Sequence, residues 1–196
     1  MGKAERTRQF IIETAAPIFN EKGIAGTTID DILAATKMAK GGLYGHFESK
    51  DEIARVMVDY LLGKLNDKVT TVMAKEKTAI KKILAFIDIY KDPIDSYIEG
   101  GCPILNFGVE ADDNNPMLKQ KLKIQIEEGQ KILAEIIYKG IADGEISAQI
   151  DAEDYALKMF ASLEGGMLVS RITGSSKYMN SLVRMLKNEL KEYQLK

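Results

Sequence analysis

One cysteine, Cys102, and one histidine, His46, stand among the 196 residues. A single cysteine excludes an internal disulfide, and one histidine beside it furnishes no three- or four-ligand zinc site without carboxylates. No cofactor or metal is therefore expected. No Ser, Cys or paired acid keeps motif spacing with His46, so no catalytic residue is assigned. Long apolar runs are missing too: none approaches the roughly 20 residues of a membrane span, and the segment from Met1 to Arg8 is charged and leads into no leader-like stretch. The expectation is a cytoplasmic chain without a membrane partner. Nor is there an excess of one charge, since 27 basic against 29 acidic residues leave a net of −2. Nucleic-acid binding by bulk charge is disfavoured, and a local basic surface remains open.

The apolar fraction of 45% with 16 glycines fits a globular chain and excludes disorder or a collagen-like repeat. Nearly all of it reads at helical period, so the fold class is all-α. The first helix is expected over Lys3–Lys22, with Ile12, Ala15, Ala16 and Phe19 on one face, Gly23 as its stop and Pro17 as a kink. Thr28 and Asp31 form a variant capping box that opens a second helix through Ala35. A third short helix is read over Ala39–Phe47. Ser49 and Glu52 repeat the capping device and open a long fourth helix carrying Ile53, Val56, Met57, Tyr60 and Leu61. Longer helices follow, separated by Pro93, Gly100, Gly101, Pro103, Pro116, Asp143-Gly144 and Gly174. They include Met117–Ile141, a helix capped by Asp151, and a last one over Lys177–Tyr193, the ingredients of a bundle.

The stretch Thr27–Ile53 carries the chemistry. Two short helices joined by a four-residue break around Thr36–Ala39 have the spacing of a helix-turn-helix. Ile29, Ile32, Leu33 and Leu43 are its expected core, closed by Phe47. The second short helix presents Lys40, Gly41, Gly42, Tyr44, Gly45 and His46 outward. Adjacent glycines each cost a helix about 1 kcal/mol against Ala, which a purely structural helix does not recover. A helix lying in a DNA groove does gain, because its backbone approaches the duplex. Lys40 and Lys50 suit phosphates, as do the capped helix starts near Thr28 and Ser49, and Tyr44 and His46 reach phosphates or base edges. Residues 1–55 hold eight basic and eight acidic side chains. Lys3, Arg6 and Arg8 at one end and Lys37, Lys40 and Lys50 around the recognition helix are expected to share a face.

Thr28, Ile29, Ile32, Lys40, Gly41, Leu43, Tyr44, His46, Phe47, Ser49 and Lys50, preceded by Phe19-x3-Gly23 and followed by Asp51-Glu52-Ile53, resemble the N-terminal DNA-binding signature of the TetR family of transcriptional regulators. The resemblance covers roughly residues 8–55. It implies a homodimeric repressor of a double-stranded DNA operator, with a helix-turn-helix domain over 1–50 and an effector-binding and dimerisation domain over 51–196. By the same resemblance, Thr27 and Thr28 meet the DNA backbone at the start of the second helix. Gly41, Gly42, Tyr44 and His46 lie on the recognition helix, and Lys50 takes a phosphate. Where the family often has Gly at the tight turn and Ser at the recognition-helix cap, this chain has Lys37 and Ala39, and Lys37 supplies charge in compensation.

For the implied small-molecule effector, largely apolar, the expected lining is Phe86, Tyr90, Tyr97, Cys102, Ile104, Phe107, Ile126, Met159 and Leu163. Cys102 reads as a small buried hydrophobe in preference to a redox sensor. The acids Asp88, Asp92, Asp95, Glu99, Glu110, Asp112 and Asp113 against Lys91 read as a solvated face in preference to a cation-selecting mouth. The last two long helices have wide apolar faces, and Gly165 and Gly166 permit close approach, so the dimer interface is assigned to Phe160, Met167, Tyr178, Leu182, Met185 and Leu186. Two other readings stay open: a ligand-binding or scaffold dimer whose head no longer reads DNA, and a small helical enzyme using His46 or Cys102.

Overall fold

The computed structural model describes residues 2–195, with the side chains of all but Asp113 and Asn114. Asp113, counted above in the acidic stretch, thus has its side chain outside the described residues. Among these residues the helices are α1 (Lys3–Gly26), α2 (Ile29–Thr36), α3 (Lys40–Tyr44), α4 (Lys50–Ala74), α5 (Ala79–Asp88), α6 (Pro103–Asn114), α7 (Pro116–Ala142), α8 (Ala152–Thr173) and α9 (Lys177–Glu192). The one extended pairing among them is an isolated bridge between Ile146 and Gln194. The chain is all-α.

Two units emerge: residues up to Asn66 with Ile98–Leu118, and Asp67–Tyr97 with residues from Lys119 onward. The division falls inside the long fourth helix, and α6 joins the N-terminal unit. Its contacts there are with α1. That pairing joins segments 86 residues apart in the hydrogen bond from Asn106 to the Asn20 carbonyl, and helical periodicity carries no information about it.

In the first unit, α1 buries Ile11, Ile12, Ala15, Ala16 and Phe19, the apolar face its spacing predicts. Non-helical dihedrals interrupt it at Gly23 (φ 76°, ψ 173°), not at Pro17, where a kink was expected. Pro17 removes one hydrogen bond, to the carbonyl of Glu13. Glu13 is exposed, and α1 keeps helical dihedrals through Pro17 beside its buried neighbours Ala15, Ala16 and Phe19. At α2 the capping box is reciprocal: Asp31 N–H donates to Thr28 Oγ1 (3.1 Å) and Thr28 N–H to Asp31 Oδ2 (2.9 Å). Ser49 Oγ accepts the Glu52 N–H at 3.1 Å and starts α4. Between them α3 is five residues long, shorter than the expected Ala39–Phe47. Its N-cap, Ala39, has no side-chain hydrogen bond, and two glycines in its body give it little intrinsic helicity.

In the second unit α8 and α9 pack against each other. A Cβ on Gly166 would lie 2.8 Å from Leu182 Cδ1, so that glycine sets their separation. Tyr155 Oη donates to the Leu186 carbonyl at 2.7 Å, and burial pushes this phenol well above its ordinary range. Lys187 Nζ meets Asp88 Oδ1 at 2.6 Å, tying α9 to α5. Asp151 caps α8 by accepting from the Glu153 and Asp154 amides, as its spacing predicts. Glu145, in the turn after α7, accepts the Ala79 N–H at 2.7 Å and so caps α5 from a distant part of the chain.

Candidate nucleic-acid interface

The surface built by α2, α3 and the start of α4 begins at the turn. Lys37, the C-cap of α2, has φ 57° and ψ 29°, the left-handed conformation that Gly adopts without strain. A lysine there accepts backbone strain of order 1 kcal/mol and presents its ammonium at the tip of the turn. Lys40, Gly41, Gly42, Tyr44 and Gly45 follow, all exposed, while Leu43 and Phe47 are buried beneath them with Ile32. A Cβ on Gly41 would meet nothing within 4 Å. Internal packing therefore does not require that glycine. His46 and Lys50 are half-buried at the edges of this face, and Thr28 is exposed.

Two of the residues assigned to DNA from the sequence are engaged elsewhere. Thr27 is fully buried, and its hydroxyl donates to the Gly23 carbonyl at 2.6 Å. It terminates α1 and offers nothing to a duplex. Arg8 reaches Glu52 at 3.2 Å, with its guanidinium 4.7 Å from the centre of the Phe47 ring. That places it as a strut between α1 and α4. Lys3 and Arg6 are exposed on the first turns of α1.

Two carboxylates on this unit, Asp31 and Glu52, have lowered pKa values. The Lys22 ammonium beside Asp31 lowers its pKa to about 2, with the Thr28 amide and hydroxyl adding to the effect. Glu52 is lowered chiefly by the Glu48 N–H it accepts at 2.6 Å, burial opposing and Arg8 assisting. Both acids thus support helix starts.

Two polar residues with structural reach, Asn20 and Asn106, escape the sequence reading, and a third, Glu110, is bonded instead of lying on a solvated face. Asn20, 2% exposed, donates from Nδ2 to the carbonyls of Glu99 (2.6 Å) and Gly101 (3.0 Å). Asn106 donates from Nδ2 to the Asn20 carbonyl (2.9 Å) and Oδ1 (3.2 Å) and to the Gly100 carbonyl (3.1 Å). Glu110 accepts the amides of Ile24 (2.7 Å) and Ala25 (2.5 Å). The signal for the first was present: Asn20 continues the buried face of α1 at four residues past Ala16, where an amide needs partners. The acid Glu110 is therefore occupied, as is Asp88 with Lys187 and Lys91.

The expected effector residues divide between the units. Phe86, Tyr90, Met159 and Leu163 are buried and Ile126 half-buried in the second, with the Phe86 and Tyr90 rings 5.6 Å apart. Cys102, Ile104 and Phe107 are buried in the first. Tyr97 is 48% exposed, with the Lys68 ammonium 4.5 Å from its ring centre, so it is a surface aromatic and not buried lining. Of the dimer set, Tyr178 and Met185 are exposed and Leu182 and Phe160 half-buried. Met167 and Leu186 lie in the core instead, because they occupy the inner faces of α8 and α9. The outer face of α8 carries Leu157, Ala161, Gly165, Leu168 and Ile172, spaced at four, four, three and four residues and all exposed.

Comparison with known proteins agrees with this architecture. The profile described as "Bacterial regulatory proteins, tetR family" matches residues 11–57, and that described as "Tetracyclin repressor-like, C-terminal domain" matches 79–186, over half the chain. A TetR transcriptional regulator from Chloroflexus aurantiacus J-10-FL is 35% identical, with TM-score 0.93, covering 99% of this chain and 98% of its own. A TetR-family regulator from Cytophaga hutchinsonii is 34% identical, with TM-score 0.88, covering 100% and 98%. The HTH-type transcriptional repressor DhaR of Mycobacterium sp. (strain GP1) is 26% identical over 84% of this chain and 82% of its own. With a helix-turn-helix in the first unit, a helical C-terminal unit and full-length relatives of this identity, the chain belongs to the TetR family of DNA-binding transcriptional regulators.

Proposed function

We propose that the protein is a ligand-responsive repressor that binds a roughly palindromic operator as a homodimer and is released by a small, largely apolar effector. The observation that carries the reading is the exposed strip Lys37, Lys40, Gly41, Gly42 and Tyr44, where glycine backbone lies open next to Lys40 and no internal contact fills the space at Gly41. A strip of that kind fits a major groove, with lysines on phosphates and the glycine backbone close to base edges. Homodimerisation is supported by the outer face of α8, where Leu157, Leu168 and Ile172 flank Gly165, together with Tyr178, Leu182 and Met185 of α9. Such a face is self-complementary about a two-fold axis at the small residue. Two heads then meet successive major grooves about 34 Å apart or somewhat more. Effector and DNA oppose each other through one coupling free energy of about 1–3 kcal/mol.

The experiment is fluorescence anisotropy of the purified protein with duplexes from the DNA flanking its own gene, across a salt series. Saturable, salt-dependent binding to one palindromic segment, weakened by Tyr44→Ala and Lys50→Gln with the dimer mass unchanged, is the expected result. Absence of binding to every flanking duplex at low salt overturns the repressor reading and favours a dimer whose head does not read DNA.

A further inference from the structure

We propose that Glu110, on α6, is the positioning residue of the helix-turn-helix: its carboxylate clasps the amides of Ile24 and Ala25 across the break at Gly23 and thereby fixes where α2 begins. The consequence for DNA rests on the operator-binding reading above.

Gly23 leaves the helical region, so the chain restarts a turn at residue 24 whose first N–H groups have no carbonyl four residues back. Glu110 supplies both acceptors, Oε2 to Ile24 at 2.7 Å and Oε1 to Ala25 at 2.5 Å. A carboxylate accepting two amides makes charge-assisted bonds, stronger than neutral ones. The Ile24 N–H and the Gly23 carbonyl belong to one peptide group. That carbonyl accepts both the Thr27 N–H (3.2 Å) and the Thr27 hydroxyl (2.6 Å). One peptide plane is therefore gripped by Glu110 on one side and by Thr27 on the other, and each bond polarises the group for its neighbour. Thr27 directly precedes Thr28, the cap of α2. The path from α6 to the start of the helix-turn-helix thus runs through a single peptide.

Two further features keep Glu110 in place. Asn106, one turn earlier on α6, bonds the Asn20 carbonyl and side chain, so α6 is held to α1 at a second point. At Gly23 a Cβ would lie 2.8 Å from Glu110 Oε2, so the glycine provides the space as well as the positive φ. Among the described residues the carboxylate has no ion pair with a cation of the DNA-facing strip, and its effect on DNA is indirect.

The test compares full-length Glu110→Gln and Glu110→Ala with a charge-matched control in the same unit, Glu21→Gln, at an exposed position of α1. Hydrogen exchange is followed over residues 24–31, and anisotropy is read on the operator duplex bound by the unsubstituted protein. Expected are faster exchange of the Ile24 and Ala25 amides, spreading to the first turn of α2, and operator affinity lowered about tenfold with an unchanged salt slope. The sign is decisive, because removing an acid from a DNA-binding head by charge alone strengthens binding, which is the outcome for Glu21→Gln. Unchanged exchange overturns the clasp. Faster exchange with equal or tighter DNA binding overturns the positioning role. Glu110→Gln keeps the side-chain volume and one acceptor oxygen, so it decides the matter if the alanine variant does not fold. If the unsubstituted protein binds no duplex, the operator reading falls and the DNA consequence with it, while the exchange measurement still judges the clasp.

Discussion

Lys22 Nζ lies 2.7 Å from Asp31 Oδ1, so the last full turn of α1 is tied by charge to the capping acid of α2. The same carboxylate accepts the Thr28 amide and hydroxyl through its other oxygen. One side chain therefore serves as cap and as inter-helix bridge. Its folded pKa of about 2 lies below the ordinary aspartate value of 3.8. A depressed carboxylate contributes stability that is present above its unfolded pKa and lost as pH falls through the folded one. That window is about pH 4 down to 2. An NMR titration of the Asp31 carboxyl should show the low midpoint, and Lys22→Met should raise it. A midpoint indifferent to Lys22 contradicts the bridge.

Replacing Lys37 by Gly relieves left-handed strain and increases unfolded-chain entropy, two effects of opposite sign. The net expectation is a stabilisation between about 0 and 1 kcal/mol, read as a small rise in Tm. Under the operator reading the same change removes one cation from the turn, so the slope of log affinity against log salt falls by about 1. A steeper slope in the variant would be the contrary result.

Gly165 and Gly166 are adjacent and have opposite expected phenotypes. Gly166→Ala drives a methyl against Leu182 and Met179, whose nearest atoms would lie at 2.8 and 3.1 Å, and overpacking of this kind costs about 1–3 kcal/mol. Gly165→Ala meets nothing within 4 Å in the single chain. It should raise helix stability by up to about 1 kcal/mol while weakening the homodimer. Thermal melts at low concentration and native mass spectrometry separate the two. Equal effects of both substitutions on dimer mass run against the assigned face.

At Gly41 the space is likewise open within the chain. Gly41→Ala lengthens or firms α3, by up to about 1 kcal/mol in local stability, yet should weaken operator binding by holding the backbone off the groove. Melting and anisotropy on the same sample check the divergence. A variant both more stable and tighter-binding argues that α3 is read by its side chains instead.

Much of the head was legible because its determinants are local. The Thr28–Asp31 box, the Ser49 cap and the Gly23 stop each act within four residues, and each appears at its expected position. The buried Leu43 and Phe47 likewise follow from their spacing. Thr27 and Arg8 have partners within the chain for a physical reason: a hydroxyl or guanidinium suited to phosphate is equally suited to a nearby carbonyl or carboxylate, and only the fold shows which partner is in reach. Met167 and Leu186 were placed outside because an apolar face wider than one stripe does not say which edge is inner.

Composition and helical period settled the all-α class by themselves, and an ordered run of capping and core residues over the first fifty positions settled the head, since each signal spans one helical turn. Where α6 lodges, that Glu110 grips residues 24 and 25, and which glycine separates α8 from α9 were decided by tertiary structure alone. Those contacts join segments far apart in the chain. Their geometry follows from how whole helices pack, which no local pattern encodes.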